Sequence, residues 1–171
     1  TEEPTDNDGE DTDADGTCNS GDGTPYGEVT LSFANVAETS IDISYYSTND
    51  IGGYQFQVNG VKLTGVGGGG PGGGPFDVVS FNHANGVVIG FSIVGAVMPA
   101  GAETLLHLEF EAQDGGSSVI SLSDILLGDD YGNEMVVNPP VSGDVPACWN
   151  YDGDSLADGF YPGSGNGGCD L

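Results

Sequence analysis

The chain has 171 residues with 27 acids against a single base, Lys62, for a formal net charge of -26. That balance excludes a nucleic-acid partner, because phosphate binding needs Lys and Arg to displace counterions, and it opposes docking on an anionic membrane. The length suits one domain with a true core plus appendages, no apolar run reaches the length of a membrane span, and the natural partners of such a surface are cations.

Residues 1–26 are polar, acidic and rich in turn formers, with no apolar periodicity. They read as an arm or an ion-bound loop. Seven acids lie between Glu2 and Asp13, and with no base nearby they repel one another unless a cation sits among them. The spacing points to that cation. Asp11, Asp13 and Asp15 fill the first, third and fifth places of a calcium loop, and Gly16 holds the sixth. Thr17 supplies the carbonyl place and Asp22 the twelfth. Alternate residues of a tight loop turn their oxygens inward, and calcium takes six to eight of them. Asp22 is shorter than the usual bidentate Glu, so the expected affinity is modest. Asp6 and Asp8 lie close enough to serve a second ion or share the first. The competing reading is a solvated acidic tail. A halophilic origin would account for the acids of the middle of the chain, but not for this spacing.

From Gly27 the pattern changes to the alternation of half-buried strands. Val29, Leu31 and Phe33 alternate with polar neighbours, as do Ile41, Ile43 and Tyr45. Tyr54, Phe56 and Val58 follow, and Asn59-Gly60 predicts a hairpin into Val61, Leu63 and Val66. Gly65 to Pro75 is a glycine run, either a flexible hairpin loop or a surface for backbone-to-backbone packing with a neighbour. It lacks the Lys and the following helix that a phosphate cradle needs. Phe76–Phe81 predicts a strand, His83 to Gly86 a turn, and Val87–Val94 a strand with Ile89, Phe91 and Ile93 on one face. In Thr104–Ala112, Leu106, Leu108, Phe110 and Ala112 face inward while His107, Glu109 and Glu111 face out. Val119–Leu122, Ile125–Leu127 and Met135–Val137 complete about nine short strands, and no helical stripe competes with them. The expected fold is all-β, a jelly-roll β-sandwich. Its expected organisation is an arm at 1–26, a sandwich at 27–143 and a second acidic, Gly-rich arm at 144–171.

Residues 139–171 return to arm-like composition. Asn150, Asp152, Asp154 and Asp158 fit the first, third, fifth and ninth places of the same calcium loop, with Ser155 in place of the glycine and Tyr161 where a bidentate acid would stand. The alternative is a plain acidic turn. Asp124, Asp129, Asp130 and Asn133 form a further cluster, read as a turn between strands. Cys18, Cys148 and Cys169 make an odd count, so one thiol stays free or pairs with another chain, and the pairing is open. Calcium-type loops and scarce Lys point outside the cell, to a secreted or cell-surface protein.

Several segments together resemble cohesin-like domains of bacterial and archaeal secreted proteins, sandwiches akin to carbohydrate-binding modules. They are Gly52-Gly53-Tyr54-Gln55-Phe56-Gln57-Val58, Gly86-Val87-Val88-Ile89-Gly90-Phe91-Ser92, Pro99-Ala100-Gly101 before Leu105–Phe110, Ser121-Leu122-Ser123-Asp124 and Asp130-Tyr131-Gly132-Asn133. The resemblance covers roughly residues 27–137 and implies a nine-stranded jelly roll with a non-catalytic role in protein–protein attachment. Some relatives carry a Cys where Ile120-Ser121 stand here, so a core disulfide to Cys148 is not available. The two ends resemble thrombospondin type 3 and dockerin calcium repeats in Asp spacing and nearby Cys, without the helices of a dockerin.

Enzymatic motifs are missing from this sequence. His83 falls in a turn and His107 on an outward strand face, no nucleophile motif or metal-spaced His pair occurs, and nothing sets two carboxylates across a sugar cleft. Trp149, Tyr45, Tyr46, Tyr54 and Tyr151 are of a type that stacks on sugars, yet aromatic residues in a sandwich are usually core. The residues thus lead to a non-enzymatic structural subunit of an extracellular fibre or surface assembly. In it the arms join copies head to tail, calcium bridges their carboxylates, and the partner is a second copy of the chain. The alternative is a cohesin-like scaffold module that binds a separate protein or a glycan or matrix. A monomeric calcium-binding surface domain is the third reading. If the ion chemistry holds, each site binds calcium with a Kd of about 10⁻⁴–10⁻³ M. Chelation then raises protease cutting within residues 1–26 while the sandwich stays folded; unchanged protection of that segment would overturn the assignment.

Overall fold

The computed structural model describes residues 16–17, 23–68, 74–112 and 118–145. Ten strands run in order: β1 Glu28–Ala34, β2 Ser40–Ser47, β3 Ile51–Asn59, β4 Leu63–Gly68, β5 Val78–Phe81, β6 Val87–Phe91, β7 Gly101–Phe110, β8 Ser118–Asp129, β9 Val136–Asn138 and β10 Gly143–Val145. They form two five-stranded sheets, β4-β7-β2-β1-β9 and β10-β8-β3-β6-β5. The architecture is the expected all-β jelly-roll sandwich, with ten strands and no helix among the described residues.

Period-two alternation builds the core. Val29 and Leu31 of β1, Ile41 and Ile43 of β2, and Leu106 and Leu108 of β7 turn one inner face toward Phe56 and Val58 of β3, Val88 of β6, and Ile120 and Leu127 of β8. A shift of register between Ile43 and Ser44 leaves Leu105 as an extra residue opposite β2, so Leu105 and Leu106 are both fully buried in succession. This is the work of a β-bulge, which lets one strand turn two neighbouring side chains into the core.

Four expectations change. Asn59-Gly60 does not close a hairpin, because β3 lies in the second sheet and β4 in the first. Gly60 has a φ of 94°, and a Cβ there would strike the Val119 carbonyl. The pair therefore serves a sharp corner between sheets, a demand that only glycine meets at this φ. Val119–Leu122 and Ile125–Leu127 are one strand, β8, bent where Asp124 takes a φ of 49° and the pairing with β3 shifts. Finally, Gly143–Val145, placed by composition in an arm-like stretch, pairs antiparallel with Ser118–Ile120 as β10. Gly143 leaves room there for Phe33 and Ile120, each 3.4 Å from where its Cβ would stand. The glycine run also begins inside a strand, since Gly65, Gly67 and Gly68 pair with β7 as part of β4.

Tyr54 fills the space over Gly90, where any Cβ would meet its ring, and stacks on Phe56 with ring centres 5.6 Å apart. Its hydroxyl is buried and has no hydrogen-bond partner among the described residues, and burial raises its pKa well above the usual phenol value. An unpartnered buried hydroxyl forfeits its hydration without return, at a cost of about 1–3 kcal/mol. Tyr54→Phe is therefore expected to stabilise the sandwich by about 1 kcal/mol in denaturant unfolding; a loss of stability would show that the hydroxyl is satisfied.

Candidate functional site: the outer face of the second sheet

The two outer faces of the sandwich differ in chemistry. On the first sheet, β1 turns Glu28, Thr30 and Ser32 outward, β2 turns out Asp42 and Ser44, and β7 turns out Thr104, His107 and Glu109. Asp42 faces His107 across the pair, with Asp42 Oδ1 2.5 Å from His107 Nδ1 and Asn35 Nδ2 donating to Asp42 Oδ2 at 2.7 Å. His83 instead has its Nδ1 3.0 Å from the Leu63 carbonyl oxygen. Both histidines are thus tied to local structure, consistent with the surface role read for them.

The second sheet is the reverse. Strands β3, β5 and β6 contain no charged residue at all, in a chain with 27 acids. Gln55 and Gln57 of β3 lie between Leu126 and Ser123 of β8 on one side and Ile89 and Val87 of β6 on the other. Phe91 pairs with Gly53 and with Val78 of β5. Phe91 is 38% exposed, Ile89 36% and Leu126 46%. The result is an apolar stripe bordered by amides and hydroxyls, open to solvent on the described surface. Alternation continues past the end of β6 to Ile93, and the loop that carries it is fixed. Asp77 Oδ1 accepts the Ile93 N–H at 2.9 Å, and Ser92 Oγ accepts that of Val94 at 3.2 Å. Hydrogen bonds from the Ser92 side chain and the Ile93 backbone hold the Asp77 carboxyl below its usual range, against slight desolvation.

At one end the stripe opens into a trough of about 680 Å³ between the Ser92–Val97 loop and the Asp130–Glu134 loop. Gly52, Gly53 and Gly128 line it. The second loop is a turn built on Asp129, as its composition suggested. The buried Asp129 carboxylate accepts N–H groups from Tyr131 at 3.0 Å, from Asn133 at 2.7 Å and from the Asn133 side chain at 3.0 Å. Asp124 sits apart from this turn, at the bulge of β8.

Of the residues assigned to calcium, Thr17 alone is described; it is exposed and follows Gly16, whose φ is 96°. Asp6, Asp8, Asp11, Asp13, Asp15, Asp22, Asn150, Asp152, Asp154 and Asp158 lie outside the described residues, as do the three cysteines. Among the described residues no group of three or more His, Cys, Asp or Glu is placed to hold a metal. Nor does any described helix have the length and apolarity to cross a membrane. The described sandwich offers no support for head-to-tail joining.

No protein-family model and no curated protein sequence matches the chain. Solved structures similar to it include cohesins. A non-cellulosomal cohesin from the archaeon Archaeoglobus fulgidus aligns at 15% identity over 69% of this chain and 89% of its own, with a TM-score of 0.48. A type II cohesin domain from the cellulosome of Acetivibrio cellulolyticus aligns at 15% over 71% and 95%, with a TM-score of 0.48. A chain of a type I cohesin–dockerin complex from Clostridium thermocellum aligns at 12% over 70% and 91%, again with a TM-score of 0.48. At these identities the likeness is one of fold.

The Asp42 pair yields a pH signature. Burial would raise the Asp42 carboxyl, but hydrogen bonds from Asn35 and His107 and the attraction of the protonated imidazole outweigh it and hold the group below its ordinary value. A carboxyl depressed in the folded state binds fewer protons there than in the unfolded chain. It contributes stability that is fully present above the unfolded value of about 3.9 and is lost as the pH falls through the folded value. Denaturant unfolding between neutral and strongly acid pH should show the wild type losing its advantage over Asp42→Asn below about pH 4; a constant difference across that range would contradict the pairing.

Proposed function

We propose that this chain is a non-enzymatic protein-binding module of an extracellular scaffold or adhesion assembly, and that it docks a separate protein on the outer face of its second sheet. One observation carries the reading: the absence of charge from β3, β5 and β6 together with the exposure of Ile89, Phe91 and Leu126. An acidic, solvated protein gains nothing from displaying such a stripe unless something covers it. Apolar and aromatic residues ringed by polar ones make the centre of a protein interface, where water is excluded and most of the binding energy resides. The fixed loop under Ile93 and Val94 adds to this, since a docking surface held in place loses less entropy on binding.

The dockerin of the Clostridium thermocellum complex supplies the class of probe. Titration calorimetry of the full chain against a panel of type I and type II dockerin modules in calcium is expected to find a micromolar or tighter pair. Phe91→Asp should weaken that pair about tenfold or more without lowering the melting temperature, because it places a charge in the interface centre. Binding that survives both Phe91→Asp and Leu126→Asp would overturn the docking face. The proposal extends to calcium binding by the Asp-spaced segments 6–22 and 150–158.

A further inference from the structure

We infer that the trough at the Gly53 end of the docking face takes an arginine side chain of the protein partner. This rests on the docking reading and adds to it the chemistry of one anchor. The trough joins three features that a guanidinium satisfies together. First, Tyr131 stands on its rim with 80% of its surface exposed, on a loop braced by Asp129. A planar cation stacks on such a ring. Second, Asp130 and Glu134 line the same trough, no Lys or Arg does, and neither acid forms an ion pair among the described residues. A carboxylate takes the forked N–H donors of arginine two at a time, which the point charge of lysine does not match. Third, Gly52, Gly53 and Gly128 leave the trough without side chains along that wall, while Leu126 gives the methylene stem of a long cation an apolar bed.

Charge complementarity selects this occupant over a neutral or acidic one. The chain carries a net charge of -26, and an approaching cation is drawn toward it before contact. That general attraction says nothing of place; the ring, the two acids and the open glycine wall fix it here.

The test is an NMR titration of the full chain with the blocked dipeptide acetyl-Leu-Arg-amide, beside its lysine and citrulline counterparts. The arginine probe is expected to give saturable shifts centred on the amides of Gly53, Gly128 and Gly132. Lysine should bind about fivefold more weakly, and citrulline, which keeps the shape without the charge, should give none. Tyr131→Ala and Glu134→Gln should each weaken the arginine probe about threefold or more. Equal binding of citrulline would overturn the inference, as would shifts spread over the acidic surface that Tyr131→Ala leaves unchanged. Failure of the docking reading is separate. A protein partner lost in Phe91→Asp but indifferent to Tyr131→Ala sinks the arginine anchor and leaves the face standing. Arginine binding that persists while Phe91→Asp leaves protein docking intact retains the trough and removes the face.

Discussion

A chain with one base cannot brace itself with ion pairs, so the packing of two apolar inner faces has to hold it. Among the described residues Lys62–Glu111 at 3.0 Å is an ion pair, and His107–Asp42 at 2.5 Å is one only when the imidazole is protonated. The first is half exposed on both sides, and pairs of that kind contribute at most about 1 kcal/mol. A fully buried aliphatic side chain contributes about 1.5–3 kcal/mol. Ile41, Ile43, Leu105, Leu106, Leu108, Ile120 and Val88 are all fully buried. The core therefore outweighs the ion pairs by a wide margin, and it must also offset the mutual repulsion of the acids. Everything displayed on the two outer faces depends on that inner packing.

Most of the sandwich was legible because half-buried strands write their burial into alternate residues. Ile41, Ile43 and Tyr45, or Leu106, Leu108 and Phe110, have polar neighbours and left little choice of face. Where neighbours are equally apolar the rule loses its hold. In β6, Val88 points to the core and Ile89 and Phe91 to solvent, though the sequence Val87-Val88-Ile89-Gly90-Phe91 does not say which is which. The deciding residue is Gly90, whose missing side chain makes room for the Tyr54 ring and so marks the inward face. That relation lies 36 residues apart in sequence and needs the β3–β6 register to be seen. Asn59-Gly60 misled for a related reason. A left-handed glycine serves a corner between sheets as well as a two-residue hairpin, and the partner that distinguishes them, Val119, is distant in the chain.

The candidate site was harder to find than the fold because its signal is an absence. The acids at the ends stand in a spacing read as that of a cation loop, whereas the candidate face is marked only by having no charge. The missing charge of β3, β5 and β6 was readable in the sequence. Their neighbourhood was not, because β5, β6, β3 and β8 come together only through the sheet order. The trough depends still more on tertiary placement, joining Gly53 of β3 to Tyr131 beyond β8.

The distribution of charge also bears on what can cover this face. Its centre is neutral, but Asp77, Asp124, Asp130, Glu134 and Asp144 stand on or near the border strands and loops. Two copies meeting face to face would set acidic borders against each other and bring two net charges of -26 within contact. Salt screens such repulsion beyond about 8 Å at physiological strength, but not at the contact distance of an interface. A partner with a neutral or basic border meets no such opposition and gains attraction on approach. Specificity of this kind needs both an attractive centre and a repulsive element against the wrong partner. Ile89, Phe91 and Leu126 supply the first and the acidic border the second. The same border that opposes a second copy on the apolar stripe thus favours a different protein as the partner of the proposed docking face.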